Sequence, residues 1–417
     1  MYVHFMDFDS PYQPAESMIT KFPKTPGQEL RNRIHILKQN MEQQNIPAVL
    51  LTHKPDIFYF SGTSQDCYLY ININLEPILF VKRYFPRARE ESCLKNIFQI
   101  SSVTQLPEKI RDLYQNLPKT CGLAFDVVPV RDYHFFQKLF VSTSFVDCTF
   151  VINICRQIKS TYEIEQIKNA ARLSEKTFSY IEKNLRPGIS EMEFCGEYET
   201  FARKFGHSGI LNIRHYRALG YPFHLLSGKS GGVAGAVDTP CCGVGTSITH
   251  PFGAGAKIIQ KNEAILIDFG TILNGYHMDE TRMFAIGDME PKAMDVSKVS
   301  IEILYRLLSL MKPGAIMGDI FEKSVQFAKQ LGYEEQFLGL PGVKSIFIGH
   351  SIGLELVENP ILSKERKDLL KPGMVFAVEP KFIFKNEFAA GIESVIQITE
   401  YGASFLSMTP HKIFTCK

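Results

Sequence analysis

The second half of the chain contains an internal repeat, which restricts the fold more than any other feature of the sequence. Residues 185–206 read LRPGISEMEFCGEYETFARKFG, and residues 311–332 read MKPGAIMGDIFEKSVQFAKQLG. When the two stretches are aligned without gaps, their Pro-Gly, Phe-Ala and final Gly positions coincide. A helix is expected on each side of both Pro-Gly pairs, because proline and glycine end helices. Strand-rich segments follow both copies, so we predict a duplicated α+β unit that encloses a site between its halves.

The first half of the chain has a different organisation, in which strands and helices alternate. Strands are predicted at 48–52 and 57–60, and the later segments alternate between strand-like and helix-like patterns. Such alternation is typical of a small α/β domain. A chain of 417 residues is also expected to form about two domains. We therefore predict an N-terminal arm at 1–27, an α/β domain at 28–156 and the repeat-containing domain at 157–417.

Composition excludes several classes of partner and location. The chain is 45% hydrophobic and 22% charged with a net charge of +2, which gives no reason to expect nucleic acid or an anionic membrane as partner. Its nine cysteines form no CxxC motif, which is typical of reduced thiols in a cytoplasmic protein. The N-terminus MYVHFMDFDSP does not resemble a signal peptide, and no apolar run is long enough to span a bilayer.

Four carboxylates and one histidine stand out because they lie in apolar, strand-like runs or next to them. They are Asp268, Asp279, His350, Glu379 and Glu393. A buried charge is costly unless it is paired or binds a metal. Several carboxylates that converge with one histidine are the donor set of a divalent metal centre. The alternative is a set of unrelated acids on the solvated faces of strands.

The two aspartates flank Asn274-Gly275, which is the strongest short signal for a β-hairpin. A two-residue turn there pairs Asp279 with Gly270 and places Asp268 two positions along, on the same face of the sheet. Such diagonal neighbours have Cβ atoms about 7 Å apart. Both carboxylates can therefore reach one ion.

A second hairpin is predicted with its loop at 385–387, the residues Lys-Asn-Glu. This register places Glu379 directly opposite Glu393. Like charges directly opposite each other destabilise a sheet. We therefore expect a metal ion between these two carboxylates.

The segments IDFGTILNGYHMDETR, GHSIGLEL, KPGMVFAVEP and GIESVIQIT resemble the pita-bread metallopeptidase family, which includes methionine aminopeptidase, prolidase, aminopeptidase P and creatinase. The order Asp, Asp, His, Glu, Glu is the ligand order of that family. The first half of the chain resembles the domain that precedes the catalytic domain in the prolidase, aminopeptidase P and creatinase branch. The fold class implied is α+β, with a duplicated pita-bread catalytic domain at 157–417 preceded by a smaller α/β creatinase-like N-terminal domain.

The resemblance also implies a role for each donor. Asp268 and Asp279 would hold one divalent ion, and Asp279 and Glu393 would bridge to a second ion completed by His350 and Glu379. The two ions would be Mn, Co, Zn or Fe, and would share a hydroxide as nucleophile. Glu379 would act as general base for that water.

A further histidine, His250 in TSITHPFGAG, falls where the family places a substrate-facing catalytic histidine. The alternative is a structural or incidental histidine in a glycine-rich loop.

Two positions depart from the family pattern. Val357 stands where the prolidase branch usually has a second histidine, and Gly391 stands where it often has an arginine. Both family residues help to hold the substrate or the charge that develops on it, so the departures bear on the substrate and leave the donors in place.

The function expected from these observations is a dinuclear-metal hydrolase that cleaves Xaa-Pro bonds in dipeptides or short peptides. One alternative is a creatinase-like or lyase-type enzyme that acts on a small non-peptide substrate, which the departures at Val357 and Gly391 favour. The other is a non-catalytic binding module, against which the complete donor set argues. The resemblance further implies a homodimer.

Overall fold

The structure is a computed structural model and describes residues 23–215, 223–235 and 239–417. Most of the arm predicted at 1–27 therefore lies outside the described residues. Within the described ranges, no helix combines the length and the apolar character needed to cross a bilayer.

The first unit is a six-stranded sheet covered by helices. Its strands are β1 (Ala48–Leu51), β2 (Cys67–Asn72), β3 (Ile78–Val81), β4 (Asn96–Gln99), β5 (Thr120–Leu123) and β6 (Ser144–Asp147), in the order β4-β3-β2-β1-β5-β6. Its helices are α1 (Gly27–Gln43), α2 (Lys54–Ser61), α3 (Phe85–Glu91), α4 (Leu106–Tyr114), α5 (Val130–Leu139) and α6 (Thr149–Gln157). The side chains of β1 alternate between two cores: Val49 and Leu51 lie in one, and Ala48 and Leu50 lie in the other. Both faces of the sheet are therefore covered, as expected for an α/β domain.

The strand predicted at 57–60 is wrong, because these residues lie in α2. Pro55 occupies the first turn of that helix, where its missing N–H costs nothing. Gly62 ends the helix in the left-handed conformation at φ 78°. The short apolar run at 57–60 carries no period long enough to distinguish a buried helix from a strand.

The second unit contains the repeat, and each copy consists of two helices separated by a Pro-Gly turn. The helices are α7 (Thr161–Asn184), α8 (Glu191–Lys204), α9 (Pro291–Leu310) and α10 (Met317–Gln330). The turns have the same backbone conformation, with φ 84° at Gly188 and 86° at Gly314. These positive values favour glycine, which explains why both copies keep it. The internal repeat is therefore confirmed as a structural duplication.

The strands in the described part of this unit form three sheets. The first has the order β17-β9-β8-β7, the second β11-β10-β12-β15-β16, and the third is the hairpin β13-β14. The strands are β7 (Phe223–Ser227), β8 (Ile265–Leu273), β9 (Tyr276–Ile286), β10 (Phe347–Ser351), β11 (Glu358–Ser363), β12 (Val375–Val378), β13 (Lys381–Phe384), β14 (Phe388–Gly391), β15 (Ser394–Thr399), β16 (Gly402–Phe405) and β17 (Phe414–Cys416). Helices α7 and α8 pack on the first sheet, while α9 and α10 pack on the second and third.

The two large sheets of this unit meet at one backbone bridge between Thr281 in β9 and Glu393 just before β15. The Thr281 N–H donates to the Glu393 carbonyl at 3.3 Å, and the Glu393 N–H donates to the Thr281 carbonyl at 3.1 Å. This bridge brings the two predicted carboxylate hairpins together, because Asp279 is on β9 and Glu393 borders β15.

Buried ion pairs join the two units. Arg156, in the last turn of α6, pairs with Asp56 at 3.0 Å and Glu355 at 2.7 Å, and also contacts Glu358. Lys159 pairs with Glu358 at 3.1 Å. The predicted domain limits at 28–156 and 157–417 stay predictions, and in the structure α6 ends at Gln157 while α7 begins at Thr161.

Candidate metal centre

The first carboxylate hairpin has the register that the sequence predicts. Its turn residues Asn274 and Gly275 have φ values of 52° and 84°, the left-handed conformations that a tight two-residue hairpin turn requires. Gly270 pairs with Asp279, and Asp268 lies two positions before Gly270 on the same strand. The prediction that Asp268 and Asp279 share one face of β8–β9 is confirmed.

The second hairpin also keeps its predicted register, although Pro380 interrupts the strand. The pairs on either side of the glutamates are Val378 with Ser394 and Lys381 with Gly391. Glu379 and Glu393 therefore lie directly opposite each other. Both are almost completely buried, with 3% and 1% of their surface exposed. The two like-charged side chains are therefore opposite each other, as expected from the sequence, and a positive charge in the site is needed to offset their repulsion.

Three of the predicted donors form a cluster that is suited to one metal ion. Ligand atoms of Asp279, His350 and Glu393 all lie within 4.8 Å of one another. The His350 Nε2 atom is 3.8 Å from an Asp279 oxygen and 4.0 Å from a Glu393 oxygen. An ion with bonds of about 2.1 Å fits between atoms at that separation. This donor chemistry, two carboxylates and one imidazole, suits a divalent ion.

The histidine in this cluster is oriented for coordination. His350 lies in β10, and its Nδ1 atom is 3.2 Å from the backbone oxygen of Ser351. A proton on Nδ1 satisfies that carbonyl and leaves the Nε2 lone pair directed at the carboxylates. Burial lowers the pKa of His350, which favours the neutral form that binds metals.

The other two predicted donors bind a lysine that the sequence reasoning did not identify. Lys381 donates hydrogen bonds from Nζ to Asp268 Oδ2 at 2.9 Å, to Glu379 Oε2 at 2.8 Å and to Glu393 Oε2 at 2.7 Å. Only 1% of the lysine is exposed. One signal was available: Lys381 follows Glu379 by two positions in an apolar strand, so both side chains lie on the same face.

Burial and crowded charge perturb these carboxylates strongly. Burial raises the pKa of Asp279 well above its usual value, and the charges of Glu393 and Asp268 act in the same direction. Burial also raises the pKa of Glu393, to about 8, although Lys381 opposes the change. Burial disfavours ionisation of Asp268 as well, yet Lys381 and His224 hold its pKa below the usual value. The pocket therefore holds more carboxyl groups than one ammonium can keep ionised, and a further cation would favour their ionised forms.

Neighbouring polar groups fix the position of Glu393. Thr281 donates from its hydroxyl to Glu393 Oε2 at 2.9 Å. Arg282 donates to the Glu393 backbone oxygen at 2.6 Å and pairs with Glu280 at 3.0 Å. Such outer contacts hold a ligand in the geometry that coordination requires.

The predicted catalytic histidine contacts its own loop. His250 is exposed, and its Nδ1 atom is 3.3 Å from the hydroxyl of Thr249. Within the described residues, no hydrogen bond or ion pair joins His250 to the five donors. Its substrate-facing role stays a prediction.

The two departures from the family pattern lie in different surroundings. Val357 is 37% exposed and lines a cavity of about 220 Å³ between the two units, together with Arg156, Arg214 and Glu355. Gly391 lies opposite Lys381, and a Cβ atom at this position would be only 2.6 Å from Cγ of that lysine. The absence of a side chain at position 391 therefore leaves the space that the Lys381 side chain fills.

Sequence comparison identifies the family of the chain. A family model described as "Metallopeptidase family M24" matches residues 165–400, which is more than half of the chain. A second, "Creatinase/Prolidase N-terminal domain", matches residues 33–158. The chain belongs to metallopeptidase family M24. The resemblance and the fold class inferred from the sequence, a pita-bread domain preceded by a creatinase-like domain, are confirmed, and this M24 chain is a metallopeptidase.

Its relatives span nearly the full length. The chain is 25% identical over 387 residues to an "Xaa-Pro dipeptidase" of Pyrococcus furiosus. The aligned region covers 92% of this chain and 100% of that protein. It is similar in structure to an Xaa-Pro dipeptidase from Bacillus anthracis, with a TM-score of 0.79, 22% identity, and coverage of 93% and 99%. An X-Pro aminopeptidase from Thermotoga maritima gives a TM-score of 0.76, 24% identity, and coverage of 92% and 99%. The two structural matches establish the fold, and the family implies a divalent metal.

Proposed function

We propose that this M24 chain hydrolyses Xaa-Pro bonds in dipeptides or short peptides with the help of a divalent metal. The observation that carries the proposal is the buried cluster of Asp279, His350 and Glu393, which suits one ion. The Xaa-Pro specificity named for the Pyrococcus furiosus relative supports the substrate class.

Each donor has a definite task in this proposal. Asp279, Glu393 and Nε2 of His350 would hold the ion. A bound divalent ion supplies Lewis-acid activation of water and of the scissile carbonyl. Glu379 would take the proton from the attacking water and deliver it to the leaving nitrogen. Because Lys381 donates to Glu379 Oε2, the carboxylate plane is fixed and Oε1 would be the oxygen that accepts the proton.

A small cavity adjoins β11, whose Ile361 pairs with His350 of the cluster, and its size favours a small substrate. The cavity of about 220 Å³ at Val357 is lined by Arg156, Arg214, Glu355 and Glu358. A short peptide with charged termini would find partners of both signs there. The same departures at Val357 and Gly391 also favour the second candidate function, which is cleavage of a C–N bond in a small non-peptide substrate.

A substrate panel tests the proposal and separates the two functions. Purified protein would be incubated with manganese, cobalt, zinc or ferrous iron and assayed on Xaa-Pro dipeptides, on Xaa-Pro-Yaa peptides and on small guanidino and amide compounds. We expect turnover of at least one Xaa-Pro substrate and its loss after chelation. Turnover confined to the non-peptide compounds would establish the second function, and no turnover of any peptide by metal-bound protein would reject the first.

We also propose that the protein is a cytoplasmic homodimer. None of the nine cysteines, all of which lie in the described ranges, forms a disulfide, which supports a reducing compartment. The dimer rests on the family resemblance. Light scattering measures the mass of the assembly, and a monomer of 47.4 kDa at micromolar concentration would contradict it.

A further inference from the structure

We propose that the ammonium of Lys381 takes the place of one of the two metal ions, so that this chain holds a single divalent ion on Asp279, His350 and Glu393. The inference rests on the proposed function, because it concerns the metal centre of that same site. It departs from the dinuclear centre expected from the sequence.

The contacts of the lysine occupy one half of the predicted centre. An ammonium has three N–H donors, and those of Lys381 are used by Asp268, Glu379 and Glu393 at 2.7–2.9 Å. Asp268 is the donor that the family resemblance assigns to the first ion alone. The ammonium therefore occupies the side of the pocket where that first ion would bind.

A divalent ion on the Asp268 side would also be too close to the ammonium. An ion bound to the same carboxylates at about 2.1 Å would lie within about 5 Å of Nζ. Lys381, Glu379 and Glu393 are buried, so repulsion between the two positive charges would be weakly screened. The ion and the charged lysine cannot share these oxygens without such repulsion.

The lysine has little freedom to move away. Lys381 is 1% exposed, and its strand β13 is paired with β14 in the hairpin. Gly391 provides the volume, because a Cβ there would be 2.6 Å from Cγ and 2.9 Å from Cα of Lys381. With glycine at 391 and lysine at 381, an ammonium paired with carboxylates occupies the position of the first ion.

The other half of the centre remains suited to one ion. Asp279 and His350 form no ion pair with Lys381 in the described part of the chain, and their ligand atoms lie within 4.8 Å of each other and of a Glu393 oxygen. Glu393 contributes Oε2 to the lysine and Oε1 to this cluster, so it bridges the ammonium and the ion. Glu379 bonds the lysine through Oε2.

Metal stoichiometry tests the inference without any substrate. Wild-type protein, Lys381→Ala and the control Lys385→Ala would be saturated with cobalt, passed through a desalting column and analysed for metal per chain. Lys385 is exposed in the loop of the same hairpin. We expect one ion per chain in the wild type and the control, and two in Lys381→Ala. Two ions or none in the wild type would overturn the inference, as would one ion in folded Lys381→Ala.

A second measurement needs only the wild type, in case Lys381→Ala does not fold. Manganese would be titrated into the protein and followed by electron paramagnetic resonance. We expect one equivalent to bind with the spectrum of an isolated ion and the second to give the signal of free aqueous manganese. A spin-coupled pair at two equivalents would overturn the inference. A chain that binds one ion but cleaves no peptide would reject the proposed function and leave this inference standing.

Discussion

Nζ of Lys381 lies 2.7 Å from Oε2 of Glu393, and both residues are 99% buried. The same ammonium is 2.8 Å from Glu379, which lies directly opposite Glu393 in the hairpin. A lysine therefore offsets the like-charge conflict that the sequence reasoning assigned to a metal ion. The position of one side chain decides how many cations the centre needs.

Removal of the histidine ligand should weaken the metal centre directly. We expect His350→Ala to lower metal affinity by at least about 100-fold, since even outer partners of a ligand contribute 10–100-fold. Competition with a fluorescent chelator measures the affinity. His215, which lies in the described loop that lines the Val357 cavity, gives a control as His215→Ala. Equal affinity in His350→Ala and wild type would show that this histidine is not a ligand.

Glu379 should contribute to the chemical step more than to metal binding. We expect Glu379→Gln to keep its metal content and to lower kcat by about 10²–10⁴-fold, the usual contribution of a general base. The comparison requires kcat and KM at saturating metal, with Glu387→Gln in the exposed hairpin loop as control. A loss that appears only in KM would place Glu379 in substrate binding and contradict the role of base.

Gly391 and Lys381 should be coupled energetically. A Cβ at position 391 would overlap Lys381 Cγ, so we expect Gly391→Ala to destabilise the protein by about 1–3 kcal/mol. The effect should shrink in part in Gly391→Ala/Lys381→Ala, because the contact with Cγ at 2.6 Å is then removed while the contacts with Cα and Cβ of residue 381 remain. Denaturant unfolding of the four proteins gives the coupling free energy. Gly196→Ala is the matched control, since no atom lies within 4 Å of its new Cβ and alanine favours the helix.

The junction between the two units should lose stability in acid. Burial opposes ionisation of Glu358, but Arg156 and Lys159 outweigh it and lower its pKa from 4.5 to about 2. A carboxylate with a lowered pKa stabilises the folded state above its unfolded pKa, and that stabilisation is lost as the pH falls through the folded pKa. We therefore expect a loss of roughly 3 kcal/mol between pH 4.5 and pH 2.

The measurement is urea unfolding as a function of pH, with wild type and Glu358→Gln compared. The variant should be less stable near neutral pH, since Arg156 and Lys159 lose a buried partner. Its stability should also depend less on pH between 4.5 and 2. Glu365→Gln, at an exposed position, should follow the wild type. Equal pH dependence in all three proteins would show that Glu358 has no lowered pKa.

The sequence by itself determined the features that depend on neighbouring residues. The Asn274-Gly275 turn sets the β8–β9 register through its two positive φ values, and the Pro-Gly turns mark the duplicated helices. The five candidate donors could be predicted because a charged side chain in an apolar strand must be paired or bind a metal. In contrast, the strand predicted at 57–60 is part of the helix Lys54–Ser61, since the period of so short an apolar run does not distinguish a strand from a helix.

Only the tertiary structure decided which charges share the centre. Asp279 and Glu393 meet because β9 bridges to the start of β15 at Thr281, and His350 arrives from a third strand. Lys381 has one local signal, its position two residues after Glu379, but its contact with Asp268 joins residues 113 positions apart and exists only in the folded chain. Local rules fix the face on which a side chain lies, but the electrostatic balance of a buried pocket is a sum over all strands that surround it. That sum exists only after the two sheets have packed together.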